Sequence, residues 1–469
     1  KGKNKTTNHV GAPAFKQTAE LELVSIFLTS FVQDSYYKTS AEYIKTLQNL
    51  LTKVNPEFAA KAAIYARNEF GMRSVSHVLS VELVKHIAGQ SWSKNFFREV
   101  VRRPDDMTEI VSYYYSKGNK KLPNSLKKGF ANAFDKFDAY QLAKYKAEGK
   151  GVSLVDVVNL VHPTPTQKNE GALNALVNNT LKNTDTWEAK LSQAGQVAEN
   201  EEDLSQLKSD AWTDLITSRK IGYFALLRNL RNILNQAPNA VPAACELLVD
   251  EKMIGKSRVL PFRFATAYEE ISKMGSSKGV REVLVAINQA LEVSMCNVPK
   301  FDGETLVVMD VSGSMSGRPS EIASLFGAIL AKSNNADVLT FANRSDYKSY
   351  NPMDSVMTIR NSFRYSGGGT NFKSIFTTAN KKYDRVVILS DMQGWVGYTS
   401  PSSEFKQYKK TYDANPYVYS WDLAGLGTMQ FPENNVFALA GFSDKVFDVM
   451  EMMEMDKKAL FNEIKAIQL

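Results

Sequence analysis

Cysteine and histidine are scarce in this chain. Its 469 residues include two cysteines, Cys245 and Cys296, and four histidines. Two cysteines so far apart exclude the disulfide framework of a small secreted domain, and no Cys or His spacing fits a zinc site. We therefore expect both cysteines to be reduced residues of a hydrophobic core.

Long apolar runs are lacking as well. Although 43% of the residues are hydrophobic, no eighteen consecutive apolar residues occur, so the sequence predicts no transmembrane helix. No apolar amino-terminal signal is visible, which favours a soluble, cytoplasmic protein without a membrane partner. The chain is too long for a single core, and two or three domains are expected.

The carboxyl-terminal third alternates predicted strands and helices. Short apolar runs predict strands at residues 305–309, 337–341, 385–390, 417–423 and 436–440. Residues 321–332 carry apolar side chains at helical spacing, and a last helix is expected over residues 444–467. Because strands that alternate with helices form parallel sheets, residues 300–469 are predicted to form an α/β doubly wound domain.

Oxygen-bearing side chains lie in three loops of this predicted domain. Asp310, Ser312 and Ser314 follow the first strand, Thr370 ends a glycine-rich loop, and Asp391 follows the strand at 385–390. Ligands of parallel sheets gather at the carboxyl ends of the strands. A divalent cation such as Mg²⁺ could bind the three hydroxyls directly and the two carboxylates through water. The alternative is that Asp and Ser at the first loop only cap the following helix.

These five residues resemble the metal-ion-dependent adhesion site of von Willebrand factor A domains. That site has the pattern D-x-S-x-S followed by a distant Thr and a distant Asp, and all five positions match here. The resemblance implies an A-type fold and a divalent cation, expected to be Mg²⁺. It also implies that an acidic side chain of a partner protein could complete the coordination of the metal.

The first two-thirds of the chain is predicted to be helical. Residues 15–290 show almost no strand signal and many helical periods, with prolines near the helix starts. Such a series favours stacked helical hairpins over residues 15–299, although no clean repeat period is visible and an irregular helical domain is the alternative. Residues 1–14 are polar and basic and are predicted to be a flexible leader.

Positive charge is concentrated in the helical part. Residues 301–469 hold 17 Lys and Arg against 19 Asp and Glu, which is a net charge of −2. Because the whole chain has a net charge of +7, residues 1–300 have a net charge of +9. This difference favours an anionic partner for the helical part, although ordinary solvated surface would also account for it.

Nine lysines crowd residues 117–150 and alternate with aromatic residues. The lysines are Lys117, Lys120, Lys121, Lys127, Lys128, Lys136, Lys144, Lys146 and Lys150. Basic side chains can neutralise phosphates, and an exposed ring can stack on an unpaired base. Phe130, Phe134 and Phe137 have core spacing and are expected to be structural, whereas the rings at 113–115 cannot all face inward on a helix.

Six stretches together resemble one known family. They are AKAAIYAR (60–67), VDVVNLVHP (155–163), LLRNLRN (226–232), SRVLPFRF (257–264), DVSGSM (310–315) and YSWDLAG (419–425). In these stretches the chain is similar to the Ro 60 kDa autoantigen proteins and their bacterial relatives, in which a helical TROVE module precedes an A-type domain. The resemblance implies a ring of HEAT-like (α helical-repeat) helices that the A-type domain closes.

The same resemblance implies an RNA-binding function without catalysis. Such proteins bind small noncoding Y RNAs on an outer basic surface, and we expect this chain to be a monomer. They also bind misfolded structured RNAs, whose single-stranded 3′ ends enter the central hole. This would make the chain a chaperone or scaffold in noncoding-RNA quality control, and in bacterial relatives the RNA can tether polynucleotide phosphorylase. A metal-dependent protein-interaction scaffold is the alternative, and a metal-assisted hydrolase is disfavoured because no general base lies nearby in sequence.

Candidate RNA-binding residues follow from the family pattern. The basic residues before the L-x-H-P segment fall at Lys144, Lys146 or Lys150, and the histidine of that segment is His162, which could instead only end the helix before Pro163. Four arginines could face the hole or could pair with acids between repeats: Arg228, Arg231, Arg258 and Arg263.

Overall fold

The computed structural model describes residues 5–7, 13–16, 18–29, 40–146, 151–182, 187–363, 365–394, 401–423, 428–430, 436–439, 445–455 and 459–469. Two short strands come first, β1 (Lys5–Thr7) and β2 (Pro13–Lys16), and they pair antiparallel. They occupy part of the segment that the sequence predicted as a flexible leader. The difference arises because β2 also pairs with Thr428–Met429, a contact across the whole chain that local composition does not reveal.

Helices make up the described chain from residue 18 to residue 299. They are α1 (Ala19–Thr29), α2 (Ser40–Leu51), α3 (Pro56–Asn68), α4 (Ser74–Leu83), α5 (Ser93–Glu99), α6 (Pro104–Ser116), α7 (Asn124–Ala133), α8 (Ala139–Lys144), α9 (Leu154–Val161), α10 (Glu170–Val177), α11 (Trp187–Val197), α12 (Glu201–Thr217), α13 (Tyr223–Gln236), α14 (Val241–Leu248), α15 (Glu251–Ser257), α16 (Pro261–Ser272) and α17 (Lys278–Ser294). Successive helices pack on one another, as α3 does on α4 and α16 on α17, which gives the expected helical-repeat architecture.

Local signals explain where several of these helices begin. Pro56, Pro104 and Pro261 occupy the first helical positions of α3, α6 and α16, where the missing N–H costs nothing. The side chain of Asn55 accepts hydrogen bonds from the backbone N–H groups of Glu57 and Phe58, which stabilises the free end of α3.

The carboxyl-terminal domain is built on one mixed sheet. Its elements are β3 (Thr305–Asp310), α18 (Arg318–Asn334), β4 (Asp337–Phe341), β5 (Ser345–Lys348), α19 (Val356–Ser362), α20 (Lys373–Thr378), β6 (Arg385–Ser390), α21 (Pro401–Thr411), β7 (Tyr417–Asp422), β8 (Thr428–Met429), β9 (Val436–Leu439), α22 (Lys445–Met455) and α23 (Ala459–Ala466). The main sheet has the order β5-β4-β3-β6-β7-β9, and only β5 runs antiparallel to its neighbour. The predicted α/β doubly wound fold is confirmed.

The helical part contacts this domain at both of its ends. Near the amino terminus, the ring of Phe58 on α3 stacks on Phe461 of α23 with centroids 5.7 Å apart. At the other end, Phe262 of α16 stacks on Phe326 of α18 at 5.3 Å, and Glu269 pairs with Arg360 at 2.6 Å. The helical repeats and the α/β domain therefore form the closed ring that the family resemblance implied.

A buried charge network holds α3, α4 and α6 together. The Asp106 carboxylate, which is fully buried, accepts hydrogen bonds from Arg67, Arg73 and His77 and from the backbone N–H groups of Arg102 and Arg103. Burial alone would raise the pKa of Asp106, but the His77 hydrogen bond and the Arg67 charge hold it well below its ordinary value. This carboxylate is therefore an anchor of the helical part.

Two smaller findings bear on the sequence predictions. Both cysteines are free, but Cys245 is only half-buried and Cys296 is exposed, so the expected core position is wrong for Cys296. None of the described helices is both long enough and apolar enough to cross a membrane.

Candidate metal centre and nucleic-acid surfaces

Three loops meet at the carboxyl end of the central strands, and these loops carry the five predicted metal-site residues. The loop after β3 is tied to the glycine-rich loop by backbone hydrogen bonds from Gly313 N to Gly368 O and from Gly367 N to Val311 O, each 2.9 Å long. Asp310, Ser312, Thr370 and Asp391 are buried, and Ser314 is half-buried. Their positions follow from the parallel register, because β3 lies between β4 and β6.

The two carboxylates of this cluster differ in how well they are satisfied. The Asp310 carboxylate accepts hydrogen bonds from the backbone N–H of Ser312 at 2.9 Å and from the hydroxyl of Ser390 at 2.5 Å. Asp391 Oδ1 accepts from the backbone N–H of Gln393, whereas its buried Oδ2 has no hydrogen-bond partner. A buried carboxylate oxygen without a partner is costly in the absence of a cation.

Electrostatics also favours a cation at this place. Burial raises the pKa of Asp310 above its ordinary value, and the neighbouring charge of Asp391 raises it further. Burial likewise raises the pKa of Asp391, against the opposing effect of the Ser314 hydroxyl. Two adjacent buried carboxylates that resist joint ionisation are the arrangement that a divalent cation would stabilise.

The donor set is rich in hydroxyls. The hydroxyl oxygens of Ser312 and Ser314 lie 3.4 Å apart. Over the described ranges no three His, Cys, Asp or Glu side chains come together as a metal cluster, so any cation here would depend on Ser and Thr oxygens. Such a set suits Mg²⁺, which prefers oxygen ligands and retains water.

The lysines that were predicted to form an outer basic surface lie on α6, α7, α8 and the turns between them. Lys120, Lys121, Lys128 and Lys144 are exposed, and none has an ion-pair partner among the residues that the structure describes. The ring of Tyr140 is 50% exposed, and Lys144 Nζ lies 5.8 Å from its centroid and 5.7 Å from that of Tyr145. This surface, the outer basic surface below, offers cations and an aromatic ring side by side.

Other lysines of the same stretch are engaged in the fold. Lys136 Nζ pairs with Glu99 and donates to the carbonyl oxygens of Arg98 and Val101. Lys117 pairs with Glu82 at 3.2 Å, and Lys146 Nζ donates to the carbonyl oxygen of Leu181. The predicted RNA-binding residue Lys150 lies outside the described residues.

The aromatic predictions for this stretch are confirmed in part, because the three phenylalanines are core residues but none of the rings at 113–115, of which at least one was expected to be exposed, is exposed. Phe130, Phe134 and Phe137 are fully buried, which confirms them as core residues. Tyr114 is buried with its hydroxyl donating to the carbonyl oxygen of Lys121, while Tyr113 and Tyr115 are half-buried.

His162 lies at the end of α9, apart from the lysines. Its backbone adopts the left-handed conformation, with φ of 49°, and its N–H donates to the carbonyl oxygen of Val158. The residue therefore ends the helix through its backbone, while its side chain remains exposed. The carbonyl oxygen of Lys146 accepts from the backbone N–H of Leu154 at the start of α9, so the eight residues of that helix, about 12 Å in length, lie between Lys146 and His162.

Three of the four predicted arginines line one groove between α13 and α16. Arg228, Arg231 and Arg263 surround a cavity of about 560 Å³, and all three side chains are exposed. The fourth, Arg258, is not among its lining residues and ends α15 in the left-handed conformation, with φ of 53°. The structure therefore brings Arg228, Arg231 and Arg263 together and leaves Arg258 apart.

One groove residue was missed in the sequence. Phe224 on α13 lines the same cavity, and 47% of its side chain is exposed. Its spacing of four residues from Arg228 and seven from Arg231 is the signal that could have identified it, because such positions share one face of a helix.

Comparisons with known proteins agree with this architecture. The TROVE domain family matches residues 28–196 and 180–313. Telomerase protein component 1 of Mus musculus is 25% identical over 338 residues, and the Rattus norvegicus protein is 24% identical over 347. RNA-binding protein RO60 of Deinococcus radiodurans is 24% identical over 330 residues.

Each of these relatives is matched over only part of its length. The alignments cover 55% of this chain but 13% of each telomerase component, and 60% of this chain with 62% of the RO60 protein. The crystal structure of the Deinococcus radiodurans RO (RSR) protein shares the fold, with a TM-score of 0.63 at 16% identity. That similarity covers 92% of this chain and 99% of the other.

Proposed function

Because the chain belongs to the TROVE-domain family of Ro 60 kDa proteins, we propose that it is an RNA-binding ring protein without catalysis of its own. In this proposal the outer basic surface binds a small, structured noncoding RNA of the Y RNA kind. The central hole receives the single-stranded 3′ end of misfolded structured RNA. The protein would then act as a chaperone or scaffold in noncoding-RNA quality control.

The observation that carries the proposal is the outer basic surface itself. Four exposed lysines have no ion-pair partner in the described chain, and one of them, Lys144, lies beside the half-exposed ring of Tyr140. Unpaired cations release counterions when they meet phosphates, and an exposed ring accepts a base by stacking. Lysines that only solubilise a surface need no such aromatic neighbour.

Binding of a hairpin RNA with a ten-nucleotide 3′ tail, across a salt series, tests the proposal. The triple variant Lys120→Gln, Lys121→Gln and Lys128→Gln should bind at least tenfold more weakly and show a shallower salt dependence, by up to about 0.9 in slope for each phosphate that is no longer neutralised. A matched control removes three exposed charges from the α/β domain, at Lys382, Lys406 and Lys410. Equal losses of affinity in both variants would show that only net charge matters and would refute a localised surface.

A divalent cation, which we expect to be Mg²⁺, forms a second part of the proposal. Ser312, Ser314 and Thr370 would hold it through their hydroxyls, with Asp310 and Asp391 supplying negative charge. The support is the partnerless buried Oδ2 of Asp391. A bound cation with an open coordination position would attract an acidic side chain, which makes a protein partner at this face the second candidate function.

The wider pathway follows from the family resemblance alone. An RNA held on the outer basic surface could tether an exoribonuclease such as polynucleotide phosphorylase, and we expect the ring itself to be a monomer. Co-purification of the nuclease with wild-type protein, abolished by ribonuclease treatment, is the expected result. A complex that survives ribonuclease would contradict an RNA tether.

A further inference from the structure

The loop that carries Asp391 is packed between two buried side chains. A Cβ atom at Gly394 would lie 2.7 Å from Cδ2 of Phe372 and 3.1 Å from Oε1 of Gln430, so both side chains press on the backbone of this loop. Phe372 is 1% exposed and follows Thr370 by two residues, and Gln430 is 2% exposed. The loop after β6 is therefore held by the glycine-rich loop on one side and by Gln430 on the other.

The backbone of the same loop has a conformation that needs support. Met392, the residue after Asp391, has a φ of 59°, in the left-handed region that residues other than glycine adopt only at a cost in free energy. Its carbonyl oxygen accepts a hydrogen bond from Nε2 of Gln430 at 2.9 Å. Because Met392 shares a peptide bond with Asp391, relaxation of Met392 would displace the Asp391 carboxylate.

A second hydrogen bond connects Met392 to the other carboxylate of the candidate metal centre. The backbone N–H of Met392 donates to the hydroxyl oxygen of Ser390 at 3.0 Å. The same hydroxyl donates to Asp310 Oδ2 at 2.5 Å. The conformation of Met392 thus bears on both carboxylates, including the buried Oδ2 of Asp391 that has no hydrogen-bond partner.

The position of Gln430 depends on a strand from a distant part of the sequence. Gln430 directly follows β8, and β8 pairs antiparallel with β2, with Phe15 opposite Met429 and Lys16 opposite Thr428. Among the described strands, β2 is the one that pairs with β8. The pairing therefore restricts the backbone from which the Gln430 side chain reaches Met392.

We propose that Gln430 is a positioning residue of the candidate metal centre and that the pairing of β2 with β8 favours cation binding there. With β2 paired, the amide of Gln430 holds Met392 in its left-handed conformation and Asp391 beside Asp310. Without this pairing the Gln430 amide is less restricted, Met392 relaxes, and Asp391 no longer has a fixed place at the cation. The inference rests on the proposed divalent-cation site and adds a control of that site by β2.

The coupling must act in both directions. If the pairing of β2 with β8 strengthens cation binding by some factor, a bound cation strengthens the pairing by the same factor. Mg²⁺ should therefore slow amide hydrogen exchange in β2 and β8 of the wild-type protein. A residue that only fills space would not transmit such an effect.

Calorimetric titration of the full chain with Mg²⁺ tests the role of Gln430. Gln430→Met keeps the length of the side chain but removes the N–H donor to Met392. This variant should bind Mg²⁺ about tenfold more weakly, a factor within the range that coupled sites show. Gln407→Met is the matched control, because Gln407 is exposed on α21, and it should bind Mg²⁺ like wild type.

Proline substitutions test the role of β2, because proline has no N–H to donate to a β-ladder. The double variant Phe15→Pro and Lys16→Pro should weaken Mg²⁺ binding about as much as Gln430→Met does. Adding Gln430→Met to it should cause little further loss, since both changes act through one contact. The control Lys5→Pro with Thr6→Pro disturbs β1, which pairs with β2 but not with β8, and should leave Mg²⁺ affinity unchanged.

The outcomes separate the inference from the proposed cation site. If wild type and Gln430→Met bind Mg²⁺ equally, the inference is overturned while the cation site stands, even if the variant has a lower Tm in EDTA. If wild type binds no Mg²⁺, both fail. Weaker binding by Gln430→Met together with Mg²⁺-slowed exchange in β2 and β8 of wild type, but not of the variant, is the expected result. Exchange in β2 and β8 that ignores Mg²⁺ in wild type would refute the coupling to β2.

Discussion

Replacing Asp106 with Asn should destabilise the helical part severely. The carboxylate is fully buried and accepts hydrogen bonds from two nitrogens of Arg67, the shorter of which is 2.8 Å long. It also accepts hydrogen bonds from Arg73 at 2.9 Å and from His77 at 3.0 Å. The amide of Asn keeps the shape of the side chain but removes its charge. The Arg67 side chain, which is 5% exposed, would then be a buried cation without a counterion.

The magnitude follows from that burial. Removing one partner of a buried ion pair costs about 3–5 kcal/mol, because the other charge stays desolvated and unpaired. A loss of this size is a large part of the stability of a domain, which is about 5–15 kcal/mol. For a module of this length it should lower the Tm by roughly 5–8 °C.

Thermal unfolding of wild type and variant, with urea unfolding beside it, measures the effect. Glu109→Gln is a suitable control, because Glu109 contacts the same Arg73 at 3.4 Å but has a side chain that is 37% exposed. This change should cost at most about 1 kcal/mol. A similar small loss of stability in both variants would refute the view that burial makes Asp106 an anchor.

Three further outcomes are expected. Burial alone would lower the pKa of His77, but Asp106 and Glu109 outweigh burial and raise it. The destabilisation caused by His77→Gln should therefore be full below about pH 6.5 and should shrink as the pH rises through the folded-state pKa. Thermal unfolding at several pH values measures this effect. An effect that grows with pH would contradict this sign. Asp391→Asn should raise the Tm in EDTA, by relieving repulsion within the buried pair, and should abolish the rise in Tm that Mg²⁺ gives the wild type; a variant that still responds to Mg²⁺ would place the cation elsewhere. Phe461→Ala should cost roughly 0.5–1.5 kcal/mol of aromatic contact and should speed amide hydrogen exchange in α3 but not in α16. An equal increase of exchange in both helices would mean that α23 does not hold α3 against the α/β domain.

Strand and helix types in the α/β domain were predictable because their signals are local. The apolar runs at 305–309 and 385–390 become β3 and β6, whose residues are all buried. Once the sheet is parallel, the carboxyl ends of neighbouring strands share one edge, so Asp310 and Asp391 had to approach each other. The short strand β5 was not predicted, since its sequence, SDYK, carries little apolar signal.

Contacts between distant segments were beyond sequence reasoning. Lys146 and Lys144 look equivalent in the sequence, but Lys146 donates to the carbonyl oxygen of Leu181 while Lys144 is exposed beside two rings. The predicted last helix, residues 444–467, is observed as α22 and α23 with residues 456–458 between them outside the described chain. Which arginines share a groove also depends on how α13 packs on α16, and this separates Arg258 from the other three.

The groove and the candidate metal centre share one packed core. Arg263 lies over the ring of Phe262, Phe262 stacks on Phe326 of α18, and Phe326 packs edge-on against Trp421 of β7 at 4.8 Å. Trp421 pairs in register with Leu389 of β6, two residues before Asp391. Because packed interiors deform little, each member of this series restricts the next. The α/β domain thus does more than close the ring, because it packs against the neighbour of Arg263 through Phe326, which contacts a residue whose strand lies beside the strand that leads to Asp391.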